Sequence, residues 1–130
     1  MMLEDVRDYI ASLGKSDHTY MGKMDDKKER SVGVYKSKHP QSFSTAIGGH
    51  SLKSYGIKSV TFLVHWNKSP RDTEKAAKEL YELLRDTREA KANETTIKFI
   101  QLLYDEPIDV GTDDSGVYEM VIEAAIVYEK

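Results

Sequence analysis

The chain has 130 residues, a formal net charge of -3 and no cysteine. This length fits one domain with one hydrophobic core, and the lack of cysteine excludes disulfides, thiolate zinc sites and cysteine nucleophiles. The slight excess of acids argues against non-specific nucleic-acid binding, and we expect no sequence-specific binding either. The acidic N-terminus is unlike a secretory signal, and no apolar run reaches the roughly 20 residues that cross a bilayer, so we expect a protein made in the cytoplasm that does not enter a membrane.

The N-terminal third predicts a helix followed by a hairpin. Apolar residues recur at helical spacing from Leu3 to Leu13, and Gly14 is placed to end that helix. Two short apolar or aromatic segments, Thr19–Met24 and Ser31–Tyr35, flank the charged stretch DDKKER. This arrangement predicts a hairpin with an exposed tip.

A long polar segment follows, from Lys36 to Tyr55, rich in Ser, Gly, Lys and His. Its composition buries too little apolar area to order itself, so we predict a mobile loop over residues 36–55. The loop either contacts a partner or has no role. Gly48 and Gly49 lack the spacing of a phosphate-binding loop and are interpreted as a hinge in a possible contact surface.

The middle of the chain predicts a strand, a helix and a second strand. Ser59–Trp66 is apolar on both faces, as in a central strand. Ser69 as the cap, Pro70 in the first turn and Asp72 three residues after the cap mark the start of a long helix. Thr95–Tyr104 is β-branched and aromatic enough to form the next strand.

The last third combines an acidic turn with a long strand. The turn runs from Asp105 to Gly116, and the alternating pattern of Val117–Tyr128 predicts a strand that ends the chain. These elements predict an α+β fold in a single domain, residues 1–130. A largely antiparallel sheet of four to five strands is packed by the N-terminal helix and one long central helix, and a parallel crossover through that helix remains open.

The sequence contains no recognisable catalytic or metal site. The four histidines share no metal-ligand spacing, and His65, beside Trp66, is interpreted as a structural histidine. The acids near Asp109 fail the calcium-loop pattern, because the sixth position is Asp114 rather than glycine. We therefore expect no enzyme activity, no metal and no cofactor.

Two charged groups are candidates for a contact surface. Solvated surface charge is the simpler interpretation of the basic group, and the acids form either a solvated turn or a surface that faces a partner. The basic group is Lys23, Lys27, Lys28 and Arg30. The acidic group is Asp113, Asp114, Glu119 and Glu123. Basic residues therefore cluster early in the chain and acids late.

Two long stretches, KSVTFLVHWNKSPRDTEKAAKELYELL and TIKFIQLLYDEPIDVGTDDSGVYEMVIEAAIVYEK, resemble the minor capsid proteins of tailed bacteriophages and prophages of Gram-positive hosts, and the tail-terminator and tail-completion group in particular. The segment VGTDDSGVYEMVIEA is the most specific part. The resemblance implies small α/β proteins in rings, usually hexamers, that end the tail tube and help join it to the head.

The resemblance further implies tail-tube and head-connector partners and a place in the virion after assembly in the host cytoplasm. Together with the separation of charge along the chain, the implied ring leads us to expect that the basic group of one subunit faces acids of the next in a head-to-tail contact. The resemblance carries over no active-site residue. Two alternatives stay open: a small-molecule-binding or regulatory α+β domain, which needs a concave apolar pocket, and an enzyme subunit that uses Asp113, Asp114 and His65, which needs these side chains to lie together.

Overall fold

The computed structural model describes residues 1–23, 25, 27–37 and 55–130. It contains helices α1 (Leu3–Ser12) and α2 (Pro70–Arg85) and strands β1 (His18–Met21), β2 (Ser31–Lys36), β3 (Tyr55–His65), β4 (Arg88–Ala92), β5 (Thr95–Leu102), β6 (Ile108–Thr112) and β7 (Tyr118–Glu129). Among the residues described, neither helix has the length and apolar character of a bilayer-spanning segment.

The strands form one mixed sheet in the order β1-β2-β3-β7-β5-β4. β7 has two neighbours along its second edge, because β5 pairs with its C-terminal half and β6 with its N-terminal half. Every pairing is antiparallel except that of β1 with β2. The predicted central strand is confirmed, since β3 lies between β2 and β7.

Both helices pack on the same face of the sheet. The residues that share this core are Val6 and Ile10 of α1, Ala77, Leu80 and Leu84 of α2, and Val34, Val60, Phe62, Val64, Ile100, Ile122, Ala124 and Ile126 of the sheet. The alternating residues of β3 and β7 predicted to share a face do so. The residues that alternate with them in β3 and β7 lie on the opposite face of the sheet.

Local signals fix the helix starts. The Ser69 hydroxyl accepts a hydrogen bond from the backbone N–H of Asp72 at 3.2 Å, and Pro70 begins α2 as predicted. At α1, the Asp5 carboxylate accepts a hydrogen bond from the Met2 N–H at 2.9 Å. Such contacts satisfy amides that have no partner inside the first helical turn.

The turn between β4 and β5 holds the start of α1. The Asn93 amide donates to Asp5 at 2.9 Å and to Asp8 at 3.0 Å. These hydrogen bonds favour the charged carboxylates and lower the pKa of Asp5 and of Asp8 below the ordinary value. The helix thus reaches from the β4–β5 turn to β1 and connects distant parts of the sheet.

The predicted hairpin is wrong, because β1 runs parallel to β2. Segment 22–30 can reach about 30 Å, whereas the four residues of β1 rise only about 13 Å, so the chain can return to the starting end before β2 begins. Gly22 and Arg30, with φ of 75° and 57°, redirect the backbone at the two ends of that segment. The sequence pattern of two short strands around a charged segment does not show whether the strands are parallel or antiparallel.

The predicted strand number is too low, because the described residues alone form seven strands instead of four to five. β4 lies in a segment that the sequence left unassigned, and β6 lies inside the predicted acidic turn. The parallel crossover that remained open does not join neighbours, since β7 lies between β3 and β5. Lys36 and Tyr55 belong to strands, and the rest of the predicted mobile loop, including Gly48 and Gly49, lies outside the described residues apart from Ser37.

Candidate functional site

The sheet face opposite the helices, here called the polar face, carries a buried histidine between two carboxylates. His65 is the last residue of β3 and pairs with Glu119 of β7. Its Nδ1 lies 2.9 Å from a Glu119 carboxylate oxygen, and its Nε2 lies 3.8 Å from Asp113. The His65 side chain is 1% exposed, and those of Asp113 and Glu119 are 17% and 20% exposed.

Glu123, a third acid on the polar face, is also held within the subunit. The Thr61 hydroxyl donates to Glu123 at 2.7 Å, and the Ser37 hydroxyl donates to the other carboxylate oxygen at 3.4 Å. Burial, followed by the negative charge of Glu119, raises the pKa of the nearby Tyr35 phenol. The polar face is therefore a hydrogen-bonded network in which several acids already have partners.

Asp113 also shapes the turn before β7. Its second carboxylate oxygen accepts from the N–H groups of Ser115 and Val117, each at 2.9 Å. Gly116, with φ of 84°, completes this turn. The contacts fix the start of β7 relative to the end of β3.

An enzyme subunit that uses Asp113, Asp114 and His65 needs these side chains to lie together, and the structure shows only part of this arrangement. His65 lies near Asp113, as required, whereas Asp114 is exposed to solvent. A ring that is 1% exposed offers no access to a substrate, and a general base must reach the proton that it removes. The described residues also contain no group of side chains arranged to hold a metal ion. The geometry supports a structural role for His65.

The basic group lies at one edge of the sheet, on the connection between β1 and β2. Lys23, Lys27 and Lys28 are exposed. Arg30 is held more tightly: its guanidinium lies 3.4 Å from Asp17 and 5.5 Å from the centre of the Trp66 ring. The three lysines are therefore the basic residues most available to a partner.

An acidic edge lies across the sheet, around β6. Its exposed members are Asp105, Glu106, Asp109 and Asp114. The sequence predicts a turn over the first three of these residues, and it does not predict β6, because the segment is rich in acids and contains glycine. Of the four predicted acids, Asp114 belongs to this edge, whereas Asp113, Glu119 and Glu123 belong to the polar face.

The two charged edges are too far apart to neutralise each other within one subunit. A row of successively paired residues crosses the sheet from β1 to β6: His18, Ser31, His65, Glu119 and Gly111. Four strand spacings of about 4.8 Å place the outer strands roughly 19 Å apart along the sheet. This distance exceeds the Debye length of about 8 Å at physiological salt, so each edge presents its charge to solvent.

A groove lies between α2 and the segment before β6. It has a volume of about 240 Å³ and is lined by Tyr81, Met120, Pro107 and six charged side chains of α2 and the loop. Pockets for small molecules are larger and mainly apolar. The groove does not favour a small-molecule-binding domain.

The fold is an α+β domain in which the acids of the polar face are hydrogen-bonded within the subunit. Residues 6–130 match the model of a family described as bacteriophage tail terminator protein, and the chain belongs to this family. Membership makes it a structural protein related to the phage tail and a virion component, in a family that is not enzymatic. Neither the curated proteins nor the solved structures contain a match to the chain.

Proposed function

We propose that the chain ends the phage tail tube and joins it to the head by assembling into a closed ring, with six subunits as the expected number. In this role it is a minor component of the capsid and tail, assembled in the host cytoplasm. Its partners are further copies of itself, the tail-tube protein and the head-connector protein. Family membership over residues 6–130 supports a role at the tail end.

The observation that carries the ring proposal is the opposite charge of two distant edges. A contact between different patches repeats from subunit to subunit and closes when the rotation permits. Lys23, Lys27 and Lys28 are exposed at one edge, and Glu106 and Asp114 at the other. The acid partners are therefore those of the acidic edge, because Glu119 and Glu123 already accept hydrogen bonds inside the subunit.

Native mass spectrometry of the intact chain tests this proposal. We expect one closed oligomer whose stability falls as salt rises above about 0.15 M, since salt screens exposed charges. The double variant Lys27→Glu with Lys28→Glu should weaken assembly by about tenfold, as expected for two exposed charge pairs lost per contact.

The matched variant Glu106→Lys with Asp114→Lys should weaken assembly to a similar degree, because it reverses the other edge. Combining all four substitutions should restore much of the oligomer, with the charges exchanged. Reversal of Arg71 and Lys75, exposed basic residues of α2 that do not line the groove beside Glu106, serves as the control and should leave assembly unchanged. A chain that stays monomeric at all concentrations contradicts the ring.

A further inference from the structure

We infer that the ring is closed by strand pairing: β1 of one subunit adds antiparallel to β6 of the next, so that the sheet continues across the contact. The inference rests on the proposed ring and specifies the surface through which two copies meet. Its basis is the position of two unpaired strand edges, their direction and their side chains.

Both strands have an edge without a partner among the described residues. β1 pairs only with β2, and β6 pairs only with β7. The outer edge of such a strand presents N–H and C=O groups that another strand can pair with. A second copy of this chain satisfies both edges at once, because each subunit contributes one of each.

The two strands lie at the same level of the sheet and run in opposite directions. The paired row that starts at His18 in β1 ends at Gly111 in β6. β2 follows the direction of β1, and three successive antiparallel pairings then lead to β6, which therefore runs opposite to β1. A copy added beside β6 in the same orientation thus forms the more stable antiparallel ladder.

Side chains at the two edges match in both apolar character and charge. Met21 in β1 is 44% exposed and Val110 in β6 is 50% exposed, so each strand carries one large apolar residue that lacks cover. The lysines beside β1 and the acids beside β6 add opposite charge along the two edges. Complementary charge of this kind mainly sets the rate and register of association.

The bulge in β6 explains how its edge avoids indiscriminate pairing. The register with β7 shifts between Asp109 and Gly111, where φ is 90°, and Val110 is the residue between them. A bulge twists an edge and shortens the ladder that it can offer. A short ladder of backbone hydrogen bonds contributes little to the stability of the contact by itself. The matching charges and apolar residues therefore select the partner.

The free edge of β4 suits β1 less well. Arg88 and Lys91 are exposed on β4, and the acid Glu89 already pairs with Lys98 at 2.6 Å. Basic β4 would therefore meet the basic surroundings of β1. The neighbouring turn is also occupied, since Asn93 donates to Asp5 and Asp8 of α1.

Cysteine cross-linking tests the strand pairing, and the chain has no native cysteine to interfere. The variant Met21→Cys with Val110→Cys, treated with a short bis-maleimide under assembly conditions, should give a denaturation-resistant series from dimer up to the ring number. The matched variant Met21→Cys with Lys91→Cys joins β1 to the alternative edge and should give no series. Each single-cysteine variant should remain monomeric on the denaturing gel.

Circular dichroism and native mass spectrometry of the same samples check that the variants fold and assemble. Rings that form without the Met21–Val110 series, or with the Met21–Lys91 series instead, overturn the strand pairing and leave the proposed ring intact. A folded chain that stays monomeric overturns both.

Discussion

Replacing Phe62 with alanine is expected to lower the free energy of unfolding by about 3–5 kcal/mol, the cost of removing a large buried aromatic side chain. Phe62 has no exposed surface and lies across from Val34 on one side and Ile122 on the other, both buried. The three strands are joined by continuous pairing, so their backbones cannot collapse into the cavity. Urea denaturation measures the loss.

The neighbouring residue provides the control for Phe62. Leu63 lies in the same strand on the polar face and is only partly buried. Leu63→Ala should therefore cost clearly less than Phe62→Ala, whereas Phe62→Leu should cost less than about 1.5 kcal/mol. Equal losses at positions 62 and 63 would contradict the placement of the helices on one face of the sheet.

Replacing His65 with leucine is expected to lower the free energy of unfolding by about 3 kcal/mol, because it leaves a shielded carboxylate without its partner. Glu119 is 20% exposed and lies 2.9 Å from the ring nitrogen that the substitution removes. Asp113 keeps its hydrogen bonds from Ser115 and Val117, so its turn should persist. Urea denaturation at neutral pH measures the effect.

A double-mutant cycle separates the pair from the packing of the ring. The variant His65→Leu with Glu119→Leu removes both polar partners, and it should recover most of the stability lost in the single variant. Glu119→Leu alone should also destabilise the protein, since it leaves a buried imidazole without that acceptor. If His65→Leu alone lowers the free energy of unfolding by less than about 1 kcal/mol, the pair of His65 and Glu119 contributes little to stability.

The elements with strong periodicity could be predicted from the sequence. α2 carries a cap, a proline and a regular apolar stripe, and its local signals agree with its burial. The alternation in the first part of β7 marks a strand, although residues 124–127 are buried on both faces of the sheet. β4 has the sequence REAKA, which lacks the β-branched residues that mark strands, and forms by pairing with β5. The parallel direction of β1 depends on contacts distant in sequence and leaves no local signal.

The candidate contact surface could be predicted only in part. Alternation places Glu119 and Glu123 on one face of β7, but it does not show that His65 and Thr61 lie directly across from them on β3. That pairing depends on strand order and register, which a single sequence does not specify. The acidic edge could not be predicted either, because β6 becomes a strand only through its pairing with β7.

Electron microscopy of tails tests the central claim, that the chain ends a phage tail as a closed ring. Tails would be imaged from host cells that express the phage tail genes with the intact chain, with the Lys27→Glu and Lys28→Glu variant, or without the chain. The intact chain should give tails of uniform length, each with a ring at one end, while its absence or the variant should give tails of irregular length without the ring. Uniform, ringed tails in the absence of the chain would contradict the account.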